Sequence, residues 1–227
     1  AIQKTEAIIE QAKRVKRGMM QDLFTHGPND EETQRIRPGE FPKSWEVKAL
    51  GEVANVVRGS TPDTKNQNYY GGENVWVTPN DLSNLYEDGA GKYIADSERK
   101  LTDSGVEAKS LSMVRPNSVM FTSRSYGIGK TAICTVPAAT NQGITAFECE
   151  SELSEEFLYY YLNHAMDYIV SISGVATFPE ITKRAVEGLP IPIPDRSTQE
   201  AITSPLSRFD DLIDHEIESK EELEQLK

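Results

Sequence analysis

The residues of this chain best suited to do chemistry sit in four short polar stretches. The first, 58–62 (RGSTP), runs into Lys65, Asn66, Gln67, Asn68, Tyr69 and Tyr70. The others are 78–81 (TPND), 123–130 (SRSYGIGK) and 140–143 (TNQG). Arg can take a guanine edge through two hydrogen bonds, Asn or Gln an adenine edge, and Ser, Thr or Lys the phosphates. A tyrosine face can stack on a base. Turn chemistry calls for many of the same residue types, so both origins stand for these stretches.

Gly127, Gly129, Lys130 and Thr131 invite comparison with a phosphate-cradling loop. That motif needs a further glycine five residues before the second one, where the backbone bends around the phosphates. Arg124 holds that position, and its side chain would crowd the cradle. A tight glycine turn between two strands is the simpler account. Such a loop would still present Ser123, Arg124, Ser125, Tyr126 and Lys130.

Metal and nucleophile chemistry find no support. His26, His164 and His215 are far apart, with only carboxylates as partners at helical spacing, so they read as solvated or core histidines. No serine occupies a GxSxG elbow. Cys134 and Cys149 form no CxxC pair and lie in apolar, strand-like text. Buried free thiols are expected there, which points to the cytoplasm. No apolar run approaches the roughly 18 residues of a membrane span.

The net charge of −12 argues at first against a nucleic-acid partner. Its distribution alters that. Residues 148–227 hold 18 acidic and 6 basic side chains, whereas residues 1–147 hold 18 of each. Arg99, Lys100, Lys109, Arg115, Arg124 and Lys130 are opposed locally only by Asp103 and Glu107. An anionic partner suits the middle of the chain and not its last segment.

Loops of this kind need a rigid body, and the pattern predicts one between two helices. Within a helical segment 1–26, residues 1–24 read as a helix with Ile2, Ile8 or Ile9, Ala12, Val15, Met19 and Leu23 at spacings of three and four, stopped by 26–28 (HGP). Ala1 already lies inside that pattern with no initiator Met, which suggests a fragment or a lost beginning. Residues 27–44 carry Pro28, Asn29, Asp30, Pro38, Gly39 and Pro42 with almost nothing apolar, and read as a linker. Residues 45–194 form the body. Within it 50–57 is a short helix leading into a strand, and apolar runs at 75–77, 119–121, 132–134 and 144–147 are strands of an irregular sheet. Ser154 caps a helix that runs to Gly174. The fold class is α+β, an irregular mixed sheet flanked by long coiled-coil-forming helices.

Alternating prolines at 188–194 (GLPIPIP) force extended chain, and 197–200 (STQE) spells a capping box that opens the last helix, 195–227. Its stripe is Ile202, Leu206, Phe209, Ile213 and Ile217, continued by Leu223 and Leu226. With Ile2, Ile9 and Val15 of the first helix, Leu206, Phe209, Ile213 and Ile217 make a seam for a partner helix. Pro205 interrupts this helix: it either kinks it or is its first residue after a Ser204 cap. The chain ends also echo each other weakly, 1–16 against 212–227.

In this order the motifs resemble the specificity subunit of type I restriction–modification systems. They are Trp45, 50–53 (LGEV), 58–62 (RGSTP), 76–82 (WVTPNDL), 121–130 (FTSRSYGIGK), 141–143 (NQG), 188–194 (GLPIPIP) and 199–200 (QE). Residues 16–24 (KRGMMQDLF) resemble the finish of that family's spacer helix. The resemblance spans nearly the whole chain. It implies a target recognition domain that reads one half of a bipartite double-stranded DNA site, with helices that dock methyltransferase subunits and, through the complex, restriction subunits. It implies no catalytic centre and no cofactor here; S-adenosylmethionine, ATP and Mg would belong to partner subunits. The candidate DNA contacts are Arg58, Ser60, Thr61, Lys65, Thr78, Asn80, Ser123, Arg124, Tyr126, Lys130, Asn141 and Gln142. A homodimer or a second recognition domain joined through the helices is left open. The alternatives are a coiled-coil adaptor whose head binds protein or glycan, and an NTP-binding enzyme.

Overall fold

The computed structural model describes residues 2–87, 91–124, 127–173 and 180–225. Helix α1 (Ile2–His26) leads into a hairpin of β1 (Thr33–Ile36) and β2 (Gly39–Pro42). Then come β3 (Glu46–Ala49), α2 (Leu50–Val53), β4 (Ala54–Arg58), β5 (Tyr70–Val77), α3 (Pro79–Glu87), β6 (Tyr93–Ile94), β7 (Lys100–Leu101) and α4 (Asp103–Glu107). Strands β8 (Ser118–Thr122), β9 (Thr131–Cys134), β10 (Ala138–Thr140) and β11 (Ile144–Cys149) follow. The chain closes with α5 (Glu155–His164), α6 (Met166–Ser171), α7 (Lys183–Glu187), β12 (Pro190–Ile193) and α8 (Arg196–Gln225). This is the expected α+β fold of irregular mixed sheets with terminal helices.

Sheet register decides where the loops go. A five-stranded sheet runs β4-β11-β8-β9-β6, and a three-stranded sheet β10-β5-β7. Thr145 of β11 lies opposite Arg58, and Ile144 opposite Thr122. In the second sheet β10 runs parallel to β5, with Thr140 beside Val77. The C-terminal ends of β4, β5, β8 and β10 therefore meet the start of β11 at one end of the body. Asn141 N–H donates to the Val77 carbonyl (3.0 Å), and Ser60 N–H to the Thr140 carbonyl (3.0 Å), which ties the two sheets there.

The main core is aromatic. Phe24 of α1, Phe41 of β2, Trp45, Phe121, Phe147, Phe157, Tyr160 and Tyr161 join Ile202 and Leu206 of α8. Phe24 lies 5.2 Å from Phe157 and stacks on His164 at 4.9 Å. Burying such rings contributes roughly 1.5–3 kcal/mol each, so both terminal helices are anchored in the body. The segment 27–44, expected to be a linker, contains instead the β1–β2 hairpin, with Phe41 fully buried against α1 and α5. One buried phenylalanine outweighs its polar composition. The helix expected from 154 to 174 breaks at Ala165 into α5 and α6, while Ser154 Oγ accepts from Phe157 N–H (3.0 Å) as the cap. Gly174 lies outside the described residues.

Asp195, rather than Ser197, caps α8. Its Oδ1 accepts from Thr198 N–H (2.9 Å), and Ser197 donates its hydroxyl to the same oxygen. Pro205 lies inside α8 and neither starts nor ends it. The carbonyl it leaves free belongs to exposed Ala201, where water can serve it, while buried Ile202 and Leu206 hold the helix on either side.

The two terminal helices pack on each other. Lys220 pairs with Glu6 (3.0 Å), Lys16 with Asp210, and Ile9, Ala12 and Ile213 are buried together with Phe209 and Ile217 against them. Numbers rise along one helix as they fall along the other, so the pair is antiparallel. The seam is thus covered, over these residues, from within the chain. Val15 is 44% exposed, because six residues past Ile9 it lies about 240° around the helix. Leu206 belongs to the main core, and Ile2 is half-buried. Leu226 lies outside the described residues. Among the described residues no helix is long and apolar enough to cross a membrane.

Candidate nucleic-acid interface

The strand ends gather a cleft of roughly 530 Å³ lined by Thr78, Asn80, Arg124, Asn141 and Gln142, together with Arg99, Glu98, Gly127 and Gly143. Five of the residues expected to contact DNA, drawn from three separate loops, thus share one concavity. Thr61 joins them through Gln142, whose Oε1 accepts its hydroxyl proton. Close approach of the loops depends on glycine: a Cβ on Gly59 would lie 1.8 Å from the Thr140 carbonyl oxygen, and one on Gly143 2.7 Å from Pro79 Cγ.

Local structure uses some of these groups. Asn141 Oδ1 accepts from Gly143 N–H (2.8 Å), which shapes the β10–β11 turn, and its amide nitrogen has no partner among the described residues. Thr78 donates both its N–H (2.7 Å) and its hydroxyl (2.6 Å) to Asp81 Oδ2 at the start of α3. Asp81 Oδ1 accepts from Glu98 N–H (2.7 Å), so this buried carboxylate is fully occupied. Asn80 and Gln142 are exposed.

Two candidates are withdrawn from the surface. Ser123 is fully buried, accepting from Arg58 Nη2 (3.3 Å) and from the Thr145 hydroxyl (3.0 Å). Arg58 also donates to the Ile181 carbonyl (3.1 Å), and its Nη1 lies 3.1 Å from Glu180. An arginine with both terminal nitrogens spent on a buried serine, a main-chain oxygen and Glu180 braces the loops instead of reading a ligand. Its buried Nε has no partner among the described residues.

Arg124 stands at the rim, 41% exposed at its side chain, with Nη2 2.5 Å from Glu180 Oε2. Glu180 therefore bridges two arginines. The hydrogen bond from Arg124, then the charges of Arg124 and Arg58, hold its carboxyl below the usual range against the opposing effect of burial. Lys65 is exposed on the β4–β5 loop, Ser60 is tied by its backbone, and Lys130 is half-buried, and none of the three lines the cleft. Tyr126 lies outside the described residues.

The 127–131 stretch is a strand–turn–strand. Gly129 has φ +104° and donates its N–H to the Thr122 carbonyl (3.0 Å), with β8 and β9 antiparallel on either side. A phosphate cradle opens into a helix whose N-terminus faces the anion, and β9 stands in that place. Among the described residues no group of three or more His, Cys, Asp or Glu side chains could hold a metal ion.

Arg99 lines the cleft although it is not among the candidate DNA contacts. Its guanidinium carbon lies 4.3 Å from the Tyr70 ring centre and 5.5 Å from that of Trp76, on the cleft wall. Its place in the basic run from 99 to 130 was the available signal.

A family model described as the type I restriction modification DNA specificity domain matches residues 42–225. The type I restriction enzyme MjaIX specificity subunit of Methanocaldococcus jannaschii is 37% identical over 190 residues, covering 83% of this chain and 43% of that protein. The fold is shared with the S subunit of a type I restriction-modification system from M. genitalium (TM-score 0.66, 12% identity, 99% of this chain and 54% of that one). It is shared also with the HsdS subunit from Thermoanaerobacter tengcongensis (TM-score 0.60, 19% identity, 98% of this chain and 54% of that one). The chain spans about half the length of the curated relatives it matches. With the family model covering most of its length, the chain belongs to the type I restriction modification DNA specificity domain family.

Proposed function

We propose that this chain reads one half of a bipartite double-stranded DNA site and directs methyltransferase and endonuclease subunits of a type I restriction–modification complex to it. It does so without a catalytic centre of its own, in the cytoplasm. Residues 45–194 are the reading domain, with 1–26 the end of one spacer helix and 195–227 the start of the next. Asn80, Arg124, Asn141 and Gln142 face the bases, Thr61 and Thr78 support them, and Ser60, Lys65 and Lys130 lie towards the backbone. The observation that carries this is the convergence of Arg, Asn and Gln side chains from three loops in one cleft of a family member. Amide and guanidinium groups are the side chains that can pair with adenine and guanine edges. No comparable feature favours the adaptor or the nucleotide-binding alternative.

The test is to co-express the full protein with its methyltransferase subunits and map methylated bases. A stable complex and a new two-part methylation pattern are expected. Absence of both would contradict the proposal.

A further inference from the structure

Among the cationic side chains lining the cleft, Arg99 is the one whose donors are unspent. Arg124 is bound to Glu180. The Arg99 side chain has no hydrogen bond or ion pair among the described residues, and it is exposed. It is nevertheless not free to wander, because its guanidinium lies over Tyr70 and beside Trp76. That platform is itself fixed. The Tyr70 hydroxyl donates to the Pro62 carbonyl (2.9 Å), Trp76 Nε1 to the Ser60 carbonyl (3.2 Å), and the two rings meet edge to face at 6.0 Å. Trp76 is also buried against Leu101 and Ala139.

A cation held over aromatic rings keeps its in-plane N–H groups for a ligand while losing little freedom on binding. A guanidinium fork fits two acceptors on one edge, and in the major groove guanine alone offers that pair, N7 and O6. Resting on the DNA-reading function proposed above, we propose that Arg99 is a specificity-determining residue that takes a guanine edge in the half-site. Arg124, latched to Glu180, lines the same cleft.

The test uses the full protein co-purified with its methyltransferase subunits. It is titrated against a duplex carrying the half-site found by methylation mapping. Parallel duplexes replace each guanine in turn by 7-deazaguanine, which lacks the N7 acceptor. Wild-type protein should lose about tenfold in affinity at one guanine position. Arg99→Ala should lose a similar factor on the unmodified duplex and be indifferent to the replacement at that position. A half-site without guanine, or an Arg99→Ala variant with the wild-type pattern of sensitivity, would overturn the assignment while leaving DNA reading intact. Equal weakening of Arg99→Ala on every duplex, unrelated sequence included, would make Arg99 a phosphate contact and also overturn it. Wild-type protein with no preference for the half-site would overturn DNA reading itself, and Arg99 with it.

Discussion

Glu180 joins two arginines with different duties: Arg58 is an internal brace and Arg124 stands at the cleft rim. Glu180→Gln removes the shared counter-charge and leaves partly buried Arg58 short of a partner. A stability loss of about 1–2 kcal/mol is expected by denaturant titration, whereas exposed Asn80→Ala should stay within about 0.5 kcal/mol of wild type. A loss confined to Asn80→Ala would reverse that division of roles. Gly59→Ala tests the loop crossing. Its Cβ would collide with the Thr140 carbonyl, and a cost of roughly 3 kcal/mol is expected. At this scale the sequence was only partly legible. Residue type pointed to the loops, and Asn80, Arg124, Asn141 and Gln142 do share the cleft. Type could not tell that Ser123 and Arg58 spend themselves on each other, since that contact spans distant strands. Arg99 acquires its meaning from Tyr70 and Trp76, which lie far from it in sequence on β5.

The elements meet at two joints that can be broken separately. Gln199, 1% exposed, donates Nε2 to the carbonyls of Glu152 (2.7 Å) and Pro194 (2.9 Å) and accepts from Ser154 N–H (2.8 Å). It stitches the start of α8 to the cap of α5. Gln199→Ala orphans three main-chain groups, and about 2–3 kcal/mol of destabilisation is expected in denaturant melts. His164, at the end of α5, is stacked on Phe24 of α1, and burial lowers its pKa to about 4. It stays neutral when folded, while the unfolded chain protonates it near pH 6.5. Its contribution is therefore complete above pH 6.5 and lost as pH falls towards 4, by up to roughly 3 kcal/mol. Stability of His164→Phe measured across that range should fall less steeply than wild type; parallel curves would show that His164 does not titrate on unfolding. Apolar runs made β5, β8, β9 and β11 legible, and Ser154 announced α5. The hairpin β1–β2 was hidden by its prolines and charges. Pairing of β12 with β3 was hidden too, because alternating prolines read only as extended chain. Prolines withhold donors, and a two-stranded sheet of edge strands is where they can be accommodated.

Across the whole molecule, charge and shape divide the labour. The excess acidity lies from residue 148 onward, much of it along α8, while the loops of the cleft draw on a basic run. The antiparallel pair of α1 and α8 is rooted in the same aromatic core that supports the strand ends, so the body and the helices form one packed unit. That arrangement holds the cleft rigidly beside the paired helices, as the proposed function requires. On the proposed function the cleft, and not the helices, sets the DNA sequence that is read. The decisive measurement is methylated-base sequencing of cells that express the complex with the Asn80→Ala, Arg124→Ala, Gln142→Ala triple variant. The expected result is relaxation of one half of the two-part site, with the other half and the spacing between them kept. An unchanged consensus in both halves, from a variant that still folds and assembles, would contradict it.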